Sequence, residues 1–140
     1  MGKINVGSVI LSGIIAAVII NVIEDVMNGM FLASWWNSVA ASMNQPPFSG
    51  GQIALFNVWG LIIGLAAAWI YAGFRPRFGA GHRTAVIAAV TTWVLAYFLT
   101  YFAWAIVGFP VGLMIVVGVV GFVEIVIATL VGAYFYQEAP

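Results

Sequence analysis

Long apolar runs separated by brief polar punctuation organise this chain. Residues 4–33, 53–74, 84–107 and 111–136 are each predominantly apolar. A membrane-spanning helix needs about 20 mostly apolar residues at a rise of about 1.5 Å each. The pattern therefore predicts four spanning helices within one domain covering residues 1–140. The first run exceeds the apolar core of a signal peptide, about 7–15 residues, so a retained helix is expected there. Between the first two runs, Asn37, Ser38, Pro46, Pro47, Ser49, Gly50 and Gly51 mark a loop with room for a short interfacial helix. Residues 75–83 form a short basic loop, and Gly108-Phe109-Pro110 reads as a tight hairpin, because proline cannot continue the incoming helix.

Charge sets an expected orientation. Lys3, Arg75, Arg77 and Arg83 all fall on one side of a four-span arrangement. Positive-inside bias places that side, with both chain ends, in the cytoplasm, and a bacterial inner membrane is the favoured location. The three arginines are expected to meet lipid headgroups. Trp35, Trp36, Trp69, Tyr71, Tyr101, Trp104, Tyr134 and Tyr136 lie near predicted span ends, where amphipathic rings prefer the headgroup level.

Composition narrows the class. The chain is 64% hydrophobic and 6% charged, with zero net charge, so it lacks the polar groups to cover a water-soluble surface. Four basic residues make no phosphate-tracking stripe, which argues against nucleic acid as a partner. With no cysteine and one histidine at the membrane edge, neither a haem nor a structural metal site is expected, and no cofactor is implied. The catalytic signatures GxSxG and HExxH and the Walker motif do not occur, so a non-enzymatic protein is expected.

Lipid tails are as apolar as leucine, so spanning helices associate by close packing and polar contacts. Gly60, Gly64, Ala68 and Ala72 recur every four residues and form a small-residue ridge on the second span. Gly121 contributes to a looser series on the fourth. These ridges predict close helix packing, within the bundle or against another protomer.

The acidic residues carry the candidate chemistry, since an ionisable group inside a membrane is costly. By helical rise from Val111, Glu124 lies about 20 Å into the fourth span. Ser12, Thr91 and Thr92 fall at comparable depth and offer hydroxyl partners. Glu24 and Asp25 fall near the outer boundary of the first span, apart from Glu124 in depth. With Asn21, Asn28, Asn57, Thr100 and Tyr101 they predict a separate outer polar pocket. No Lys or Arg lies in any span, and desolvation favours a neutral carboxyl. Glu124 is thus expected to be protonated and hydrogen-bonded, or charged and matched by an external cation or a partner subunit.

Two functions are expected from these features. One is an accessory or self-assembling packing subunit, working in a homo-oligomer or larger membrane complex through the Gly60/Gly64/Ala68 ridge. The other is an oligomeric proton- or cation-coupled transporter or channel centred on Glu124.

Overall fold

The computed structural model describes residues 3–139 and arranges them as a helical bundle. Helix α1 (Val6–Val26) opens behind Asn5, whose side chain accepts from the Ser8 amide at 3.1 Å. An Asn there satisfies one of the amide donors that every helix leaves unpaired at its start. A π-helical turn, Met27–Phe31, extends the span. After Leu32 the chain enters α2 (Ala33–Ser42), the short helix expected between the first two runs.

Helix α3 (Gly50–Phe78) begins with a reciprocal cap between Ser49 and Gln52 and runs past the expected span at both ends. It stops where Gly79 adopts φ +82°, a conformation a side chain would strain. Helix α4 (His82–Trp93), a second π-helical turn (Val94–Phe98) and α5 (Leu99–Ile106) make the third span. The turn at Gly108 leads into α6 (Val111–Phe135). Among the described residues, four helical runs are long and apolar enough to cross a membrane: Val6–Phe31, Gly50–Phe78, His82–Ile106 and Val111–Phe135. The protein is an all-α, four-helix membrane bundle.

Helix α1 packs against both α3 and α6, and α4 against α6 and α3. Small residues make these approaches possible. A Cβ on Gly64 would sit 2.6 Å from the Ala17 amide nitrogen and from the Gly13 carbonyl oxygen. A Cβ on Gly132 would sit 2.8 Å from the Ser12 carbonyl oxygen. At such sites backbone meets backbone, and dispersion replaces the burial from water that drives soluble packing. Gly60 and Gly64 face α1, while Ala68 and Ala72 pack among Val9, Ala85 and Ala88. The expected ridge is therefore buried within one chain. The opposite faces leave Ile14, Val18, Val22, Ile62, Val119 and Ile127 exposed as a lipid-facing belt.

The chain ends meet. The Asn5 amide donates to the Tyr136 hydroxyl at 3.3 Å, the Gln137 amide to Ser8 Oγ at 2.7 Å, and the Ala139 amide to the Lys3 carbonyl at 3.2 Å. These contacts set α1 and α6 antiparallel, with both termini at the same end of the bundle as the 79–81 loop.

Candidate functional site

Glu124 is wholly buried in the middle of α6. The sequence placed Ser12, Thr91 and Thr92 near it, but the structure directs two of those hydroxyls elsewhere. Thr91 Oγ1 donates to the Ile87 carbonyl at 2.8 Å, and Thr92 Oγ1 to the Ala88 carbonyl at 2.9 Å. A threonine in a helix readily bonds the carbonyl one turn back, which leaves little for a neighbour. Ser12 is buried, and its hydroxyl has no hydrogen-bond partner.

The donor to Glu124 is instead Tyr97, whose hydroxyl lies 2.5 Å from Oε1. Tyr97 is fully buried and lies in the π-helical turn of the third span. Its ring passes over Gly121, one helical turn before Glu124. A Cβ at Gly121 would come within 2.3 Å of Tyr97 Cδ1. The glycine thus clears the path by which the phenol reaches the carboxyl. A GxxE spacing facing a tyrosine was the available signal, but sequence alone does not reveal which helix brings that tyrosine.

The larger correction concerns Glu24. It lines the outer pocket, as expected, but its carboxyl also lies within hydrogen-bonding reach of the Glu124 carboxyl, so the two sites adjoin. Counting backbone positions misled, because side chains on a helix lean toward its N-terminus. From the shared end of the bundle, Glu24 sits about 27 Å up α1 and Glu124 about 16 Å up α6, at about 1.5 Å per residue. The helices are antiparallel, so the Glu24 side chain leans down and the Glu124 side chain leans up. The two leans narrow the gap. Glu124 Oε2 has no hydrogen-bond partner among the described residues. Ionised carboxylates only accept hydrogen bonds, so contact between two carboxyls is a place for a proton.

Above the pair lies a cavity of about 600 Å³, opening away from the chain termini. Glu24, Asp25, Asn28, Thr100 and Tyr101 line it, so five members of the expected outer pocket share one space. The other two, Asn21 and Asn57, brace its edge. The Asn21 side-chain amide donates to the Asn57 carbonyl at 3.0 Å, and the Asn57 amide to Asp25 Oδ1 at 3.3 Å. The Asn28 amide donates to Glu24 Oε2, and Trp36 Nε1 donates to Asn28 Oδ1 at 2.9 Å. Helix α2 thereby delivers Trp36 as part of the cavity wall. Trp59 stands edge-on to Tyr97, ring centroids 5.1 Å apart, between the cavity and the buried phenol.

Both π-helical turns flank this site: Met27–Phe31 contains Asn28, and Val94–Phe98 contains Tyr97. Widened turns inside α-helices occur frequently at functional sites, because they re-aim side chains and free backbone carbonyls. Here Thr100 Oγ1 donates to the Ala96 carbonyl at 2.7 Å.

At the opposite end, the structure separates the three arginines. Arg75 turns inward: its guanidinium lies 5.0 Å from the Tyr136 ring centroid, and Nε lies 3.1 Å from Glu138 Oε1. Arg77 and Arg83 are exposed, as headgroup contacts require. No family model, curated protein or solved structure matches this chain.

Proposed function

We propose that this protein is a proton-coupled carrier of a small solute, which occupies the cavity in exchange for a proton held on the Glu24–Glu124 pair. The observation that carries this reading is a wholly buried Glu124 with one unpaired carboxyl oxygen, close beside a Glu24 that lines an open cavity. Solute and proton then compete for the same negative charge, which is the minimum needed to couple one flux to another. Lys3, Arg77 and Arg83 at the termini end favour a cytoplasmic location for that end, so the cavity faces outward across a bacterial inner membrane. Four helices enclose little volume, and the full pathway is proposed to be shared between protomers. The alternative, a packing subunit, drew on the Gly60/Gly64/Ala68 ridge, which here faces other helices of the same chain.

Infrared titration of the purified protein tests the proton site. A protonated-carboxyl stretch is expected, and either Glu24→Gln or Glu124→Gln should shift the titration of the carboxyl that remains. If each variant leaves the other carboxyl's titration unmoved, the pair is not coupled and the carrier reading fails. In proteoliposomes, Glu124→Gln should abolish proton-coupled flux while assembly stays intact.

A further inference from the structure

We infer that the cavity binds a bulky organic cation, an onium centre carrying aryl or alkyl groups, between aromatic walls and the Glu24 and Asp25 carboxyls. This inference rests on the carrier reading and names its substrate class.

Size comes first. A space of about 600 Å³ falls within the range of about 300–1,000 Å³ typical of small-molecule sites, far larger than an inorganic ion requires. Trp36, Phe48, Phe56, Trp59, Tyr101 and Trp104 supply the walls. Aromatic faces carry negative quadrupole density and attract cations, most strongly when the cation is desolvated. They offer no ligands to a hard metal ion, which needs six or more oxygens.

Charge gives the sign. Glu24 and Asp25 line the cavity, and no Lys, Arg or His does. An anion would meet two acids and a set of negative ring faces. A sugar or other neutral polyol would need many free hydrogen-bonding groups. The Thr100 hydroxyl already donates to Ala96, and the Asn28 amide is engaged by Glu24 and Trp36, which leaves only Asn37, Gln52 and Tyr101 to supply them in a wall that is otherwise mostly aromatic and apolar. An onium ion needs no directed hydrogen bonds, only apolar contact and a counter-charge. The second observation lies just below: Glu124 is completely buried, and its Oε2 has no hydrogen-bond partner among the described residues.

The link to protons follows. The titratable groups facing the pair are Glu24 and Asp25 of α1, Glu124 of α6, and Tyr97 and Tyr101 of the third span. From α3, Asn57 and Trp59 approach, and neither titrates. With no base among them, a bound cation substitutes for a proton on the pair, and binding releases that proton.

Equilibrium dialysis of the whole detergent-solubilised chain tests this with tetraphenylphosphonium and its anionic isostere tetraphenylborate, each corrected for protein-free micelles. The expected result is saturable phosphonium binding, weaker at acidic pH, with protons released into a weak buffer and no saturable borate binding. Glu24→Gln should weaken phosphonium binding at least tenfold and abolish proton release. Trp104→Leu, which removes a wall and no charge, should weaken binding several-fold while leaving the protons released per cation bound unchanged. It keeps the test decisive if Glu24→Gln does not fold. Absence of saturable phosphonium binding, or equal saturable binding of the borate, overturns the inference. If the infrared coupling persists in that case, only the substrate class has failed; if the coupling is missing too, the carrier reading falls with it.

Discussion

Gly121→Ala adds one methyl group in the middle of α6 and changes no polar atom, yet it should disturb the Glu124 carboxyl. The new Cβ would lie 2.3 Å from Tyr97 Cδ1 and 2.7 Å from Cε1. To regain ordinary contact the ring must retreat by about 1 Å. Tyr97 is completely enclosed, with Trp59 edge-on at 5.1 Å, so it has little room to retreat. A hydroxyl that starts 2.5 Å from Glu124 Oε1 would then move to the limit of hydrogen bonding or beyond it. Overpacking costs about 1–3 kcal/mol. Losing an interhelical hydrogen bond inside a membrane adds about 0.6–1.7 kcal/mol. Replacing glycine by alanine in a helix returns about 0.5–1 kcal/mol. The net expectation is a loss of about 1–4 kcal/mol in reversible unfolding from mixed micelles.

A double-mutant cycle isolates the part that passes through the phenol. Tyr97→Phe alone removes the hydrogen bond and keeps the ring, so Gly121→Ala should cost less in that background, by about the value of the bond. The Glu124 carboxyl stretch should shift in both single variants and no further in the double. A Gly121→Ala protein as stable as the parent, with an unmoved carboxyl band, would refute the claim that glycine clears the path between Tyr97 and Glu124.

Other perturbations probe the rest of the structure. Gly64→Leu should prevent stable folding, because its Cβ alone would lie 2.6 Å from backbone atoms of α1; Gly73→Ala, where a Cβ meets nothing within 4 Å, should gain about 0.5–1 kcal/mol. Thermal unfolding compares the two, and equal stability would contradict the packing account. Arg75→Gln removes the Glu138 pairing and the stacking on Tyr136, so hydrogen exchange at Gln137 and Ala139 should rise about fivefold, a change of about 1 kcal/mol, while the α1 core is unaffected. Trp93→Phe deletes the 2.9 Å bond from Nε1 to the Gly118 carbonyl and should cost about 0.6–1.7 kcal/mol; a neutral result would show that another donor takes its place.

The bundle was largely legible because its signals are local. Uninterrupted apolar length specifies a spanning helix, and Ser49, Gly79 and Gly108 mark boundaries through their own backbone preferences. The spacing of Gly60, Gly64, Ala68 and Ala72 likewise marks a packed face, since four residues return a helix to nearly the same side. The site was legible only in part. The expected outer pocket drew together Glu24, Asp25, Asn28, Thr100 and Tyr101, which lie at comparable depth. Tyr97 escaped notice because an aromatic residue among Leu95, Phe98 and Leu99 looks like lipid-facing bulk until the widened turn around it is known. The partnership of Glu24 with Glu124 escaped for a geometric reason: rise locates Cα atoms, whereas a glutamate acts at the end of its side chain.

That geometry also explains why the two carboxyls sit on helices of opposite direction. On parallel helices, acids offset in height lean the same way and the offset persists. On antiparallel helices the leans either narrow the offset or widen it, depending on which acid is nearer its helix start. Here Glu24 stands farther from the shared end than Glu124, the arrangement that narrows it. The termini contacts through Asn5, Ser8, Tyr136 and Gln137 fix the register of α1 against α6. Gly132 against Ser12 holds the same register deeper in the bundle. Meeting of the carboxyls therefore depends on contacts about 12 Å or more away by helical rise from Glu124, and farther still from Glu24. A slip of one helical turn, about 5.4 Å, would part them.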